Sequence, residues 1–240
     1  MDRDEIIECA KALLPWHYDF EIVEGVRTHS LNDPEDPNHT MILALDPQRI
    51  VPIFKRLYPE GLAGKDVLDI GCNAGGYCFL AAELGARSAV GFDIRQHWLN
   101  QAALIHRTKY PELKNVAFKI GDAKTALKDF GSVDIVIFNG IFYHLPDPVS
   151  VLLQACDVAR ETIFVNTMTS DNIPENCLVP KIESKTQLLS GVDGLSWIPG
   201  GPAVLRIILR RAGFERFEVN FHARGLDDKG RGRMEVIGRR

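Results

Sequence analysis

The chain has 240 residues, 45% of them hydrophobic, and a formal net charge of −4. That is apolar material for one large core, and the acidic balance excludes a global attraction to polyanions. Its five cysteines, Cys9, Cys72, Cys78, Cys156 and Cys177, are scattered and odd in number, which argues against a disulfide framework or zinc cluster and for a reducing compartment.

Ile6, Ile7, Ala10, Leu13 and Leu14 recur at helical spacing until Pro15, which predicts a helix over residues 3–14. The stretch 15–45 carries Pro15, Pro34 and Pro37 among Asn, Asp and His, with one short strand at Phe20–Val23. Residues 1–45 therefore read as an N-terminal helix and an irregular cap or mobile lid. Trp16, His17, Tyr18, His29 and His39 either cover a site or form a small satellite core. Ile50, Val51, Ile53, Phe54 and Leu57 give a helical face, and Val67, Leu68 and Ile70 a short run buried on both sides, as strands of a parallel sheet are. A helix through Phe79 and Leu84 ends near Gly85, and Ala89–Phe92 is the next strand. Helical spacing from Trp98 to His106 lasts until Pro111, after which Val116–Ile120, Val133–Phe138 and Thr162–Val165 read as strands, with a helix at Val149–Cys156.

Residues 168–198 read as a long polar insertion. Pro202 then opens a helix with Val204, Leu205, Ile208 and Leu209 inward and Gly213 at its C′ position. Phe214–Phe221 and Met234–Arg239 form a final antiparallel pair. Alternating strands and helices imply an α/β fold with a doubly wound sheet, and residues 46–240 are taken as one domain. No basic leader opens the chain and no stretch approaches the ~18 apolar residues that span a bilayer, so a cytoplasmic protein without membrane contact or metal is expected.

The chemistry concentrates in Asp66-Val-Leu-Asp-Ile-Gly-Cys-Asn-Ala-Gly-Gly-Tyr-Cys78, a strand that runs into a glycine-bearing turn and a helix. Gly71, Gly75 and Gly76 let backbone approach a ligand where a Cβ would collide. Asp93 ends the next strand, 24 residues after Asp69, within reach of the ribose hydroxyls that acidic residues hold in such βαβ units. The turn lacks the G-x-G-x-x-G spacing of dinucleotide sites, and Asp69 would oppose a pyrophosphate. A cationic nucleoside without phosphate fits better.

Asp69-Ile-Gly-Cys-Asn-Ala-Gly-Gly76 followed by Gly91-Phe-Asp93 resembles motifs I and II of the class I S-adenosylmethionine-dependent methyltransferases. The resemblance implies a seven-stranded Rossmann-like sheet ending in an antiparallel hairpin, with S-adenosylmethionine as cofactor. On that pattern Asp69, Gly71, Cys72 and Asn73 surround the amino-acid part, and Asp93 and Ile94 take the ribose and one adenine face. Gly121, Asp122 and Ala123 lie where family members bond the adenine amino group, although Asp122 is equally a helix N-cap. Phe138–Pro146 faces the transferred methyl. There His144 is a candidate base or a packed histidine, and Tyr143 either bonds the cofactor or shapes the pocket.

Arg49-Ile-Val-Pro52, Gly140-Ile-Phe-Tyr-His144, Asn176-Cys-Leu-Val-Pro180 and Trp197-Ile-Pro-Gly200 before Ala212-Gly-Phe214 resemble a narrower family that includes the tRNA wobble-uridine carboxymethyltransferases. By that likeness Asn139 and Tyr143 contact the cofactor, and the 168–198 insertion is a substrate-side wall. Those enzymes use a carboxylated cofactor and a lysine upstream of motif I. This chain has no lysine between Arg27 and Lys55, and Asp46 lies nearby. Arg224, Lys229, Arg231, Arg233, Arg239 and Arg240 make the tail basic, but Asp227 and Asp228 interrupt it. The expectation is methyl transfer to an oxygen or nitrogen of a small molecule, a sugar or secondary metabolite. A tRNA-modifying alkyltransferase is the alternative, and a non-catalytic cofactor-binding module a third; the oligomeric state stays open.

Overall fold

The computed structural model describes residues 1–36, 45–223 and 230–240. His39 and the tail residues Arg224, Asp227, Asp228 and Lys229 lie outside them. The chain divides into two units, Met1–Asp122 and Ala123–Arg240.

In the first unit, helix α1 (Arg3–Lys11) starts at a capping box, in which the Asp2 carboxylate accepts from the Glu5 amide and Glu5 accepts from the Asp2 amide, at 2.9 and 3.0 Å. Strands β1 (Glu21–Val23) and β2 (Val26–Arg27) pair antiparallel. The helical face read from residue 47 is a 3-10 turn, Pro47–Ile50, that continues as α2 (Val51–Leu57). Strands β3 (Asp66–Ile70), β4 (Ser88–Asp93) and β5 (Val116–Ile120) run parallel in that order, with Leu68 opposite Val90 and Val90 opposite Ala117. The crossovers between them are α3 (Gly76–Glu83), apolar on every side and buried from Gly76 to Ala82, and α4 (Gln96–Lys109).

The N-terminal segment is tied to both crossover helices. Trp16 is fully buried and donates its indole N–H to the Ala10 carbonyl at 2.8 Å. Tyr18 meets Tyr77 of α3 edge-on, with ring centres 5.9 Å apart. The Gln101 amide of α4 donates to the carbonyls of Leu13 and Pro15 at 2.7 and 2.8 Å. Trp16 and Tyr18 are thus core residues of this unit.

In the second unit, a short turn α5 (Ala123–Ala126) precedes β6 (Val133–Asn139), α6 (Pro148–Val158) and β7 (Ala159–Ser170). β6 and β7 are parallel, and β7 pairs antiparallel with β11 (Arg231–Arg239), which pairs in turn with β10 (Arg216–Ala223). Helix α7 (Pro202–Arg211) buries Val204, Leu205, Ile208 and Leu209 and ends at Gly213, whose φ of +83° is the left-handed C′ geometry expected there. With parallel β3–β5 in the first unit, and parallel β6 and β7 joined by the antiparallel β11 and β10 in the second, the doubly wound α/β class with its C-terminal hairpin stands as read from the sequence.

Several boundaries need correction. β7 runs on to Ser170, because Asn166, Thr167 and Thr169 are polar but fully buried and paired along the ladder. The segment 168–198 is therefore not a plain polar insertion. It begins inside β7 and contains an antiparallel hairpin, β8 (Leu178–Ile182) and β9 (Leu195–Pro199). Likewise β10 starts two residues later than read, leaving Phe214 as a buried plug before it, and β11 starts at Arg231 rather than Met234.

Candidate functional site

Ligands of open parallel sheets bind outside the carboxyl ends of the strands. In the first unit β3 and β4 end there in two carboxylates. Asp69 is 1% exposed, and its Oδ2 has no hydrogen-bond partner. Burial first, and the nearby Asp93 charge second, push its carboxyl well above the usual range.

The loop that follows is held by backbone bonds to β4. The Gly71 and Cys72 amides both donate to the Phe92 carbonyl, at 2.9 and 3.0 Å. Gly71 and Gly75 have φ of +72° and +79°, and between them Asn73 takes φ +51°, a left-handed conformation that Asn tolerates better than most residues. Asp93 holds it there. One carboxylate oxygen accepts from the Asn73 amide at 2.9 Å and the other from the Arg95 amide at 3.0 Å. Burial raises the Asp93 carboxyl, and these backbone donors oppose that rise without cancelling it.

Ile94 follows with 40% of its surface exposed, an apolar face beside the carboxylate. The Gly121 amide donates to the Asp93 carbonyl at 2.9 Å, so Gly121 and Asp122 leave β5 next to the same strand end, and Ala123 is the first residue of α5. Cys72 differs from its neighbours. Its side chain is 1% exposed and turned against Gly91, where an added Cβ would lie 2.8 Å from the Cys72 sulfur and 2.9 Å from that of Cys78. Only its backbone remains for a ligand.

In the second unit the chain leaves β6 at Asn139, both of whose side-chain amide atoms are buried without a partner. Gly140, at φ +79°, bonds back to the Asn166 carbonyl at 2.8 Å, and a 3-10 turn, Phe142–His144, follows. The rings of Tyr143 and His144 lie 4.0 Å apart. Nδ1 of His144 is 2.8 Å from Oε1 of Glu183, with side-chain exposures of 19% and 15%. Burial pushes the Glu183 carboxyl up, but His144, the Gly191 amide and Lys181 together draw it further down, so it lies below the usual carboxylate range. Behind Tyr143, the Arg233 guanidinium sits 5.9 Å from the ring centre and donates to Asn166 at 2.7 Å; Glu235 accepts from Asn166 and Asn220 at 3.2 and 2.9 Å.

A buried polar atom with no partner marks a place where a ligand's polar group can sit. Asp69 offers an unpaired acceptor suited to a cation, Asp93 spare lone pairs suited to vicinal hydroxyls, and Asn139 both a donor and an acceptor. Residues 62–194 match the family model of a methyltransferase domain. The chain belongs to that family. Among curated relatives it is 31% identical over 220 residues to the tRNA U34 carboxymethyltransferase of Campylobacter jejuni subsp. doylei, covering 90% of this chain and 67% of that one. It is 28% identical over 222 residues to the tRNA U34 carboxymethyltransferase of Aliarcobacter butzleri, covering 89% of this chain and 63% of that one. The chain thus spans about two thirds of these relatives' length.

Among solved structures, the N-terminal domain of EvdMO1 with SAH bound is similar at a TM-score of 0.77 and 26% identity, covering all of this chain and 97% of that domain. The magnesium protoporphyrin IX methyltransferase of Synechocystis PCC 6803 with bound SAM shares the fold at a TM-score of 0.54 and 17% identity, over 80% of this chain and 78% of that one. The fold of this methyltransferase is the Rossmann-like one that its motifs imply. The glycine turn, the strand end at Asp93 and the segment after β6 were legible as local structure. Glu183 and the Asn166–Arg233–Glu235 cluster were not, since nothing local marks a side chain that meets His144 from 39 residues away.

Among the described residues no group of histidines, cysteines and carboxylates could hold a metal, and no helix is long and apolar enough to cross a membrane.

Proposed function

We propose that this methyltransferase transfers the methyl group of S-adenosylmethionine to a hydroxyl oxygen of a small, sugar-like acceptor, with His144 as general base. Family membership and the SAM- and SAH-bound structural neighbours support methyl transfer and its cofactor. The observation that carries the acceptor class is the imidazole of His144. It follows β6, its Nδ1 is engaged by a carboxylate, and among the described residues its Nε2 has no hydrogen-bond partner. A hydroxyl needs such a base, because its proton must leave as the oxygen attacks.

Bound S-adenosylmethionine supplies a methyl group on a positively charged sulfur, which departs as a neutral thioether. Asp69 takes the ammonium of the amino-acid part, with the backbone of Gly71, Cys72 and Asn73 around it. Asp93 accepts from the ribose hydroxyls. Ile94 covers one adenine face, and Gly121, Asp122 and Ala123 meet the adenine amino group. Asn139 and Tyr143 contact the cofactor from the segment after β6. Nε2 of His144 receives the acceptor proton, a contribution of about 10²–10⁴ in rate for a well-placed base.

The likeness to tRNA U34 carboxymethyltransferases favours a second reading, alkylation of a tRNA uridine with a carboxylated cofactor. The net charge of −4 and the missing lysine between Arg27 and Lys55 weigh against it. The test is formation of SAH from S-adenosylmethionine over a panel of deoxyhexoses, D-fucose among them because the EvdMO1 domain was crystallised in its presence, with unfractionated tRNA in parallel. A methylated sugar whose yield collapses in His144→Ala supports the reading. Product formed with tRNA alone defeats it.

A further inference from the structure

The hairpin β8–β9 carries few buried side chains; Val179 and Ile182 are 42% and 81% exposed. Yet it is fastened to the turn that bears His144 at three places. Trp197 of β9 donates its indole N–H to the Pro146 carbonyl at 2.9 Å. Gly191, in the connection between the strands, lies so close to the His144 carbonyl that a Cβ there would collide with it and stand 3.0 Å from Glu183 Oε2. Glu183 itself, one residue beyond β8, uses both carboxylate oxygens, Oε1 toward His144 Nδ1 at 2.8 Å and Oε2 to accept from the Gly191 amide at 2.9 Å.

A carboxylate only accepts hydrogen bonds. Its contact with Nδ1 therefore requires a proton there, and in the neutral ring this leaves the lone pair on Nε2. We infer that Glu183 is a positioning residue for the reaction: it fixes His144 as the Nδ1–H tautomer, aims Nε2, and stabilises the imidazolium that forms when the acceptor proton arrives. This rests on the reading of His144 as the base. The proton balance closes within the pair, because the acceptor O–H proton moves to Nε2, the Nδ1–H stays, and Glu183 remains ionised. Glu183 gains from the arrangement as well, since the ring and the Gly191 amide hold its carboxyl below the usual range. The titratable groups on the ring among the described residues are Glu183 and Tyr143, and Lys181 acts on Glu183. The hairpin is then part of the catalytic apparatus and not only a wall.

The test is nitrogen-15 NMR of protein labelled at histidine, with His144→Ala used to assign the signal. It needs no acceptor. The expected result is that the neutral form of the wild-type His144 ring carries its proton on Nδ1. In Glu183→Gln the side-chain oxygen can keep the Gly191 bond while the amide group faces Nδ1, so the ring proton should move to Nε2. A wild-type ring protonated on Nε2, or a Glu183→Gln ring that keeps its proton on Nδ1, overturns the inference.

Turnover separates this failure from failure of the base itself. Glu183→Gln should lower kcat roughly tenfold or more, a part of what a base supplies, with KM for S-adenosylmethionine unchanged and partial recovery in Glu183→Asp. An inactive His144→Ala beside a fully active Glu183→Gln sinks the positioning role alone. A fully active His144→Ala sinks the base, and the positioning role with it.

Discussion

Asp93→Ala separates a ribose-binding carboxylate from one that merely shapes the loop. In the free protein the carboxylate holds the Asn73 and Arg95 amides at 2.9 and 3.0 Å and helps to keep Asn73 at φ +51°. Hydrogen bonds to a charged acceptor are worth about 1.5–3 kcal/mol each, which alone would suggest a loss of about 3 kcal/mol or more. Against this stands the cost of burying the charge, which outweighs those bonds, since the Asp93 carboxyl is raised and not lowered. Deleting it should therefore destabilise the unliganded fold by only about 1 kcal/mol, because the penalty disappears with the bonds. In the complex two ribose hydroxyls would add two more charge-assisted bonds, and at about 1.5 kcal/mol each their loss weakens cofactor binding by roughly a hundredfold. Isothermal titration with SAH gives the affinity, and urea unfolding without ligand gives the stability. An affinity within about threefold of wild type refutes the ribose assignment. A stability loss well above ~3 kcal/mol with no separate binding defect makes Asp93 a structural pin.

Asp69 gives a prediction in pH. Its carboxyl and that of Asp93 are raised from 3.8 mainly by burial. A raised group stabilises the fold fully below its unfolded value, and this contribution is lost as pH rises through the folded value. The unliganded protein should thus lose stability on the alkaline side of 3.8, and Asp69→Asn should flatten that fall in a pH series of thermal unfolding; an unchanged slope contradicts it. Binding of the cationic cofactor should release protons, measured by titration in buffers of different ionisation enthalpy, and Asp69→Asn should release fewer. Gly191→Ala should lower turnover severalfold while SAH affinity holds, because its Cβ displaces the His144 carbonyl; equal loss of both would mean a general disturbance. Burial also pushes up the thiols of Cys72 and Cys78, and that of Cys156 to about 12, whereas Cys9 and Cys177 are half-buried. A thiol reagent at neutral pH should therefore find only Cys9 and Cys177 in the native protein, and rapid reaction at Cys72 would contradict the packed loop.

What the sequence revealed, and what it hid, follows from how far each signal reaches. Val67–Ile70, the Gly71–Gly76 turn and Asp93 are local patterns with one physical reading, and the structure places them as strand, left-handed turn and strand end. The end of β7 was hidden because Asn166, Thr167 and Thr169 are buried polar residues, whose pairing with β11 and neighbouring side chains no window of sequence displays. The hairpin β8–β9 was hidden because Leu178–Ile182 contains a proline and is exposed along most of its length, so the alternation that marks a half-buried strand is missing. Glu183 was hidden for a different reason: its meaning comes from the fold that brings it to His144. Trp16 and Tyr18 were ambiguous between a lid and a packed cluster, and their burial and ring contacts make them core.

The most direct test of the central claim is mass spectrometry of the purified protein incubated with S-adenosylmethionine and its carboxylated analogue in equal amounts, with a deoxyhexose panel in one reaction and tRNA in the other. The account predicts consumption of S-adenosylmethionine, accumulation of SAH and a sugar heavier by one methyl group. Selective consumption of the carboxylated cofactor, with product appearing only on tRNA, would contradict it.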